Sequence, residues 1–299
     1  MNALLRPVSA AALALPLLLL SGCSLFPTTR KLPIPKAPST IQTVTPEQLV
    51  RQLDQRWAAL NSLNATVDIQ ASVLKSKEGL AKDYTTIRGI ILMRKPEMLR
   101  VYGRVPVIGT RMFDMVSDGK DFTLYIPSKN KAVKGSNSLK KKSASQIENM
   151  RPGFFLDAMV VRGLEPNDEY MVTTDTFTVE DAARKHLFSV PEYILSVMRP
   201  KPGSPEKTPV RRVYFHRDDL EPYQQDIYDS EGNLETQVLY AAYQDFGSGP
   251  YPSIMTIKRP LEEYQIVLTV EKVTENMELK DDQFQINNIP EGTETQRLE

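Results

Sequence analysis

Apolar residues recur at helical spacing in one long stretch of the chain and at a period of two through most of the rest. Leu49, Leu53, Trp57 and Leu60 fall on one helical stripe, and such a stripe must rest on something. Thr45-Pro46-Glu47-Gln48 supplies a start for that helix, with Thr as N-cap, Pro in the first turn and Gln completing a capping box. After 61–64 the period changes. Val67, Ile69, Ala71 and Val73 alternate with Thr66, Asp68, Gln70 and Ser72, the pattern of a half-buried antiparallel strand. Strands are predicted near 84–93, 97–103, 110–117, 120–126 and 130–134. Others are predicted near 169–174, 186–190, 193–199, 210–216, 223–228, 234–243, 253–258 and 263–273. Ser117-Asp118-Gly119-Lys120 predicts a two-residue hairpin turn, and 229–233 another hairpin connection. One apolar run breaks the strand pattern. Phe154, Phe155, Leu156, Met159 and Val160 follow Arg151-Pro152-Gly153 and predict a short helix. No internal repeat divides residues 45–299. The pattern predicts one α+β domain, a large antiparallel sheet with a few helices against one face.

The first 22 residues do not share that pattern. They hold one cation, Arg6, no acid, and an apolar run over 10–20 that contains Pro16 and ends in small residues. These are the marks of a signal peptide. The run is short of the roughly 20 apolar residues that a membrane-spanning helix needs. Residues 24–44 carry Pro27, Pro33, Pro35 and Pro38 and no hydrophobic period. They predict a tether reaching about 65 Å when extended at ~3.1 Å per residue, or roughly 25 Å when coiled.

Composition narrows the functional classes. The 299 residues contain 37 Lys+Arg and 37 Asp+Glu, so the chain lacks the basic excess that nucleic acid demands. A single Cys, Cys23, and two His, His186 and His216, supply no intrachain disulfide, CxxC pair or His/Cys metal site. The sequence has no G-x-S-x-G elbow, Walker loop or G-x-G-x-x-G. His216-Arg217-Asp218 copies three letters of a kinase catalytic loop without its companion motifs and reads as a strand end. Asp218-Asp219 and Asp281-Asp282 are neighbours in sequence, and neighbouring side chains of a strand diverge, so neither pair is an acid/base couple. The reading is a monomer that is not an enzyme and has no cofactor or metal.

Leu20-Ser21-Gly22-Cys23 resembles the lipobox of bacterial lipoproteins. That resemblance implies cleavage after Gly22 and acylation of Cys23, leaving 277 residues anchored by chains worth about 0.8 kcal/mol per buried CH₂. Ser24 follows where enterobacterial sorting reads Asp as inner-membrane retention, so it implies an outer-membrane lipoprotein facing the periplasm.

An ordered set of motifs over about 45–295 resembles the LolA/LolB family of bacterial lipoprotein carriers and acceptors. An amphipathic helix leads into a strand starting Leu63-Asn64-Ala65-Thr66. Gly89-Ile90-Ile91-Leu92-Met93-Arg94-Lys95-Pro96 resembles the family's strand-to-turn motif. Val116-Ser117-Asp118-Gly119-Lys120 with Tyr125-Ile126-Pro127 resembles its hairpin, and the 152–161 run its lid helix. Phe284-Gln285-Ile286 and Pro290-Glu291-Gly292 resemble its close. The resemblance implies an unclosed antiparallel β-barrel, a large curved sheet covered on its concave face by a few helices, whose hollow takes acyl chains. It implies as partners lipoprotein acyl chains and a periplasmic carrier.

Two positions carry over with alternatives. Lys95, with Arg94 beside it, stands where the carrier has an Arg that locks the lid; a solvated basic turn is the other reading, because Lys lacks the bidentate fork. Val105-Pro106-Val107-Ile108-Gly109-Thr110 resembles the acceptor's membrane-contact loop, with Ile108 as the apolar residue; packing on a neighbouring strand is the alternative. Lys129, Lys131, Lys134 and Lys140, Lys141 and Lys142 could meet anionic headgroups or form a solvated loop. Three readings stay open: a lipoprotein acceptor at the outer membrane, a tethered envelope module of the same fold with another ligand, and a structural lipoprotein with a filled sheet.

Overall fold

The computed structural model describes residues 40–75, 80–137, 151–180, 187–201, 203–287 and 289–298. Gly22 and Cys23, the signal segment, most of the tether and Lys140–142 lie outside the described residues. Among the described residues, two α-helices, α1 (Pro46–Ala59) and α2 (Pro152–Met159), accompany fifteen strands. These are β1 (Ser62–Lys75), β2 (Leu80–Asp83), β3 (Ile87–Arg94), β4 (Met98–Arg104), β5 (Arg111–Ser117), β6 (Asp121–Ile126) and β7 (Lys131–Ser136) before α2. After it come β8 (Glu169–Glu180), β9 (Leu187–Pro200), β10 (Lys207–His216), β11 (Pro222–Tyr228), β12 (Leu234–Asp245), β13 (Pro250–Arg259), β14 (Tyr264–Glu275) and β15 (Glu294–Arg297).

All fifteen strands form one unclosed, curved sheet. From one edge the order is β15, β7, β6, β5, β4, β3, β1, β14, β13, β12, β11, β10, β9, β8, with β2 added beside β1. Two meanders, β3–β7 and β8–β14, are thus joined through β1, which pairs with β3 on one side and β14 on the other. The sheet does not close into a barrel, and it is not wholly antiparallel: β15 runs parallel to β7. The chain leaves β7 near one edge and re-enters at β8, the other. The connection must therefore traverse the sheet, and α2 lies on that crossing.

Local chemistry explains the elements. In α1, Gln48 N–H donates to Thr45 Oγ1 (3.3 Å) and Thr45 N–H donates to Gln48 Oε1 (2.8 Å), so the expected capping box is present. Leu49, Val50 and Leu53 are buried against Tyr193, Leu195, Val197, Val213 and Phe215 of β9 and β10. The hairpin between β5 and β6 turns on Asp118, whose carboxylate accepts from Lys120 N–H and Asp121 N–H at 2.9 and 2.8 Å. These bonds hold its pKa below the usual carboxylate range. Gly119 takes φ 93° there, a conformation that favours glycine.

Three features depart from the sequence expectations. The strands expected at 186–190 and 193–199 are one, β9, which passes through Pro191. Residues 187–191 pair with β8 beyond the last β10 pair, His216↔Glu192, so on that side no ladder bond misses the proline N–H. β8 extends to Glu180, six residues past the expected end. β2 and β15 are four-residue, largely polar strands with no apolar alternation to announce them.

The main core lies between α2 and one face of the sheet. Phe154, Phe155, Leu156, Ala158 and Met159 share a cluster with Leu63, Val67, Ile91, Met115, Met255 and Leu268, among others. Phe154 and Phe155 rings sit 4.7 Å apart, and the Arg259 guanidinium lies 5.5 Å from the Phe154 ring. On the opposite face of β3, Leu92 packs with Leu279 and Phe284, where the segment after β14 folds back.

Candidate functional site

An apolar concavity opens where α1 meets the sheet. It has a volume of about 290 Å³, at the lower end of small-molecule pockets, which run from about 300 to 1,000 Å³. Leu53 and Trp57 of α1 and its C-cap Leu60 form one wall; Met159 and Val160, at the end of α2, and Tyr240, Tyr243 and Tyr251 form others. Each tyrosine hydroxyl has a place in the framework. Tyr251 Oη donates to Met159 O (2.7 Å) and Tyr243 Oη to Pro222 O (2.6 Å). Burial pushes all three phenols far above their ordinary titration range, so they remain neutral. Arg56 closes one end with a two-bond pair to Glu221, both at 2.6 Å, and that carboxylate holds the guanidinium pKa up. Burial also pushes the Glu275 carboxyl up. The cleft is thus mainly an aromatic and aliphatic slot, with the Arg56–Glu221 pair at one end and Glu275 on its lining.

The apolar helix expected over 154–160 is α2, with Val160 as its C-cap. Its side chains fill the interior beside the cleft rather than standing over empty space. The two basic residues of the expected lock are placed elsewhere. Lys95 reaches α1: its ammonium donates to Trp57 O and lies 3.9 Å from the Trp57 ring centroid, and desolvation lowers its pKa. Arg94 donates to Leu279 O (2.6 Å) and pairs with Asp281, with its guanidinium 5.1 Å from the Phe284 ring. It clamps the returning C-terminal segment. Trp57 is half-buried beneath Lys95 and at the cleft.

The 105–110 loop joins β4 to β5. It is closed by Val105 N–H to Thr110 O and Gly109 N–H to Val105 O, both 2.9 Å. Val107 is fully exposed, with a relative accessibility of 107%, and Ile108 is 77% exposed. Neither packs on a neighbouring strand. Val107 sits at φ 69°, which for a β-branched residue is a sterically costly conformation. Arg104 and Arg111 bracket the loop, and with Arg100 they surround Tyr102 at 5.2–5.9 Å. Sequence reading of the loop missed that arginine collar, because the residues that form it alternate along two strands.

The other sequence candidates are structural. His216 stacks on Tyr223 with centroids 4.2 Å apart. Arg217 donates to Gln42 O (3.3 Å) and Thr43 Oγ1 (3.2 Å), and Gln42 N–H donates to Arg217 O (2.6 Å). The last residues assigned to the tether are therefore docked on the domain from Gln42. Asp281 is the partner of Arg94, and Asp219 accepts from Glu221 N–H at 2.8 Å. Among the described residues no three His, Cys, Asp or Glu side chains stand together as a metal site.

No family model matches the chain, and no curated protein matches its sequence. Solved structures do resemble it. A DUF1329 family protein from Desulfovibrio piger superposes with a TM-score of 0.52 at 16% identity, over 80% of this chain and 95% of that one; the two share a fold. A LolA superfamily protein from Nitrosomonas europaea gives 0.49 at 14% identity, covering 82% and 99%. An outer membrane lipoprotein-sorting protein domain from Vibrio parahaemolyticus gives 0.47 at 13%, covering 79% and 94%. Of the architecture that the LolA/LolB resemblance implies, the large unclosed, curved sheet is present.

Proposed function

We propose that the protein is an envelope lipoprotein, anchored to the outer membrane through acylated Cys23, that binds acyl chains and takes part in lipoprotein localisation as an acceptor. The observation that carries this reading is the apolar cleft between α1 and the sheet. A hydrocarbon chain in water is costly, at about 25 cal/mol per Å² of exposed apolar surface, and a preformed slot lined by Leu53, Leu60, Tyr240 and Tyr251 removes that cost. The two helices would then act as movable walls, α1 held by Lys95 and α2 seated beside it.

Ala59 lines the cleft from the exposed end of α1, so its replacement tests the site without opening the core. Ala59→Trp should cut the acyl chains that copurify with the protein by at least about tenfold, read by native mass spectrometry. Its melting temperature should stay close to the parent value, as for most exposed substitutions. Undiminished lipid in that variant, or parent protein carrying none, would overturn the reading.

The exposed Val107–Ile108 tip, collared by arginines, supports contact with a membrane whose surface is anionic. Burying one Ile side chain is worth about 1.5–3 kcal/mol. Ile108→Glu should therefore weaken binding to phosphatidylglycerol vesicles by roughly ten- to a hundredfold, with the circular dichroism spectrum unchanged. Equal vesicle binding by both proteins would remove the loop from the proposal.

One observation favours the structural reading instead: Phe154, Phe155 and Met159 already fill much of the interior that an acyl chain would use. The lipid measurement separates the two.

A further inference from the structure

The sheet ends on a strand that natural sheets usually protect. β8 pairs along its whole length with β9 and stands last in the strand order. Among the described residues its outer edge therefore presents backbone N–H and C=O groups to solvent. Edges of this kind are commonly blunted by Lys, Pro, a bulge or brevity. β8 has none of these. It runs twelve residues as EYMVTTDTFTVE, in unbroken register with its one neighbour. Tyr170, Met171 and Val179 are exposed along it.

A helix stands beside this edge. α1 packs on β9 and β10, with Val172 of β8 at the margin of the same cluster. Between α1 and the edge lies an open groove of about 430 Å³, lined by Glu47, Val50, Arg51, Asp54, Ala58 and Tyr170, among others. A free strand edge flanked by a helix is the arrangement in which an extended peptide adds as one more strand. Its backbone bonds give affinity and the groove selects side chains.

Charge selects the occupant. β8 contributes Glu169, Asp175 and Glu180 and no cation. The α1 wall contributes Glu47 and Asp54 against Arg51. Lys207 offsets Glu169 from the neighbouring hairpin, which leaves the site acidic. Two copies meeting edge to edge would set these acids against each other. We propose that the β8 edge and the outer face of α1 bind an extended, Lys- or Arg-bearing segment of another protein by strand addition.

The test titrates the full-length protein in nonionic detergent with a fluorescent peptide of five Lys-Val repeats. Parallel titrations use a Glu-Val analogue and two versions N-methylated on every Lys or every Val, each of which removes one row of donors. The Lys-Val peptide should bind with a micromolar Kd and slow hydrogen exchange at the β8 amides. The Glu-Val peptide, at least one methylated version, and the Asp175→Lys/Glu180→Lys protein should each bind at least about tenfold more weakly. Three outcomes would overturn the proposal. One is no binding of the Lys-Val peptide. Another is undiminished binding of both methylated versions, which would show adsorption by charge alone. The third is concentration-dependent dimerisation that protects β8 without peptide, which would assign the edge to a second copy.

Discussion

Phe155→Ala should destabilise the domain by about 3–5 kcal/mol, the cost of deleting a fully buried aromatic and leaving a cavity. Phe155 has no exposed surface. It lies against Phe154 and shares the core with β1, β3, β5, β13 and β14. For a domain of this size the change corresponds to a fall in melting temperature of roughly 6–20 °C, read by circular dichroism. The same variant distinguishes a movable helix from a permanent plug. If α2 occupies volume that an acyl chain can take, the space vacated by the ring should admit lipid. Phe155→Ala should then copurify with more acyl chains than the parent, and added fatty acid should restore part of the lost stability through binding to the folded state. A variant that is destabilised, stays lipid-free and gains nothing from fatty acid would identify α2 as structural filling.

α2 also shows where sequence patterning stops. The run Phe154–Val160 reads as a helix because its residues are apolar on nearly every side, and that already marks it as buried. Its seat inside the sheet follows from the route of the chain, from β7 near one edge to β8 at the other, and the two meanders share one sheet only because β1 pairs with β14, far away in sequence. The strands themselves were legible wherever one face is buried, because alternation then has a physical cause. It fails for β2 and β15, whose four residues bury too little to enforce a period. It also fails at Pro191, where a break was expected and a one-sided pairing tolerates the ring. The candidate site was legible unevenly. The apolar tip at Val107 and Ile108 is local, and the loop bonds expose it as a unit. The cleft is not local: Leu53, Met159, Tyr240 and Tyr251 come from four elements. An alternating strand says which face a tyrosine takes, but not whether a helix leaves space above it. Arg94 and Lys95 show the same limit. Side by side at a strand end, they diverge to opposite faces, one to the segment before Phe284 and the other to the last turn of α1.

Asp114→Ala should cost a comparable 3–5 kcal/mol, by a different mechanism, because it strips the counter-ion from two arginines. Asp114 in β5 is fully buried. Its carboxylate accepts two bonds from Arg100, Nε at 3.0 Å and Nη2 at 2.8 Å, and pairs with Arg111 Nη1 at 2.9 Å. The carboxylate is also the first cause of the raised Arg100 pKa. Arg100 donates in turn to Gln283 O at 3.0 Å, so the network ties the β4–β5 hairpin to the returning C-terminal segment. Without Asp114 the two guanidiniums face each other at low exposure with no anion between them. Replacing both members of the more buried Arg100–Asp114 pair should hurt less than breaking it: Arg100→Met/Asp114→Leu is expected to be more stable than Asp114→Ala, a comparison that urea denaturation makes directly. The same hairpin carries Val107 and Ile108 at its tip. Loss of Asp114 should therefore also weaken vesicle binding at temperatures where the domain is still folded, because the loop is presented from a loosened base. Unchanged vesicle binding below the unfolding transition would show that the tip acts independently of the ion-pair network beneath it.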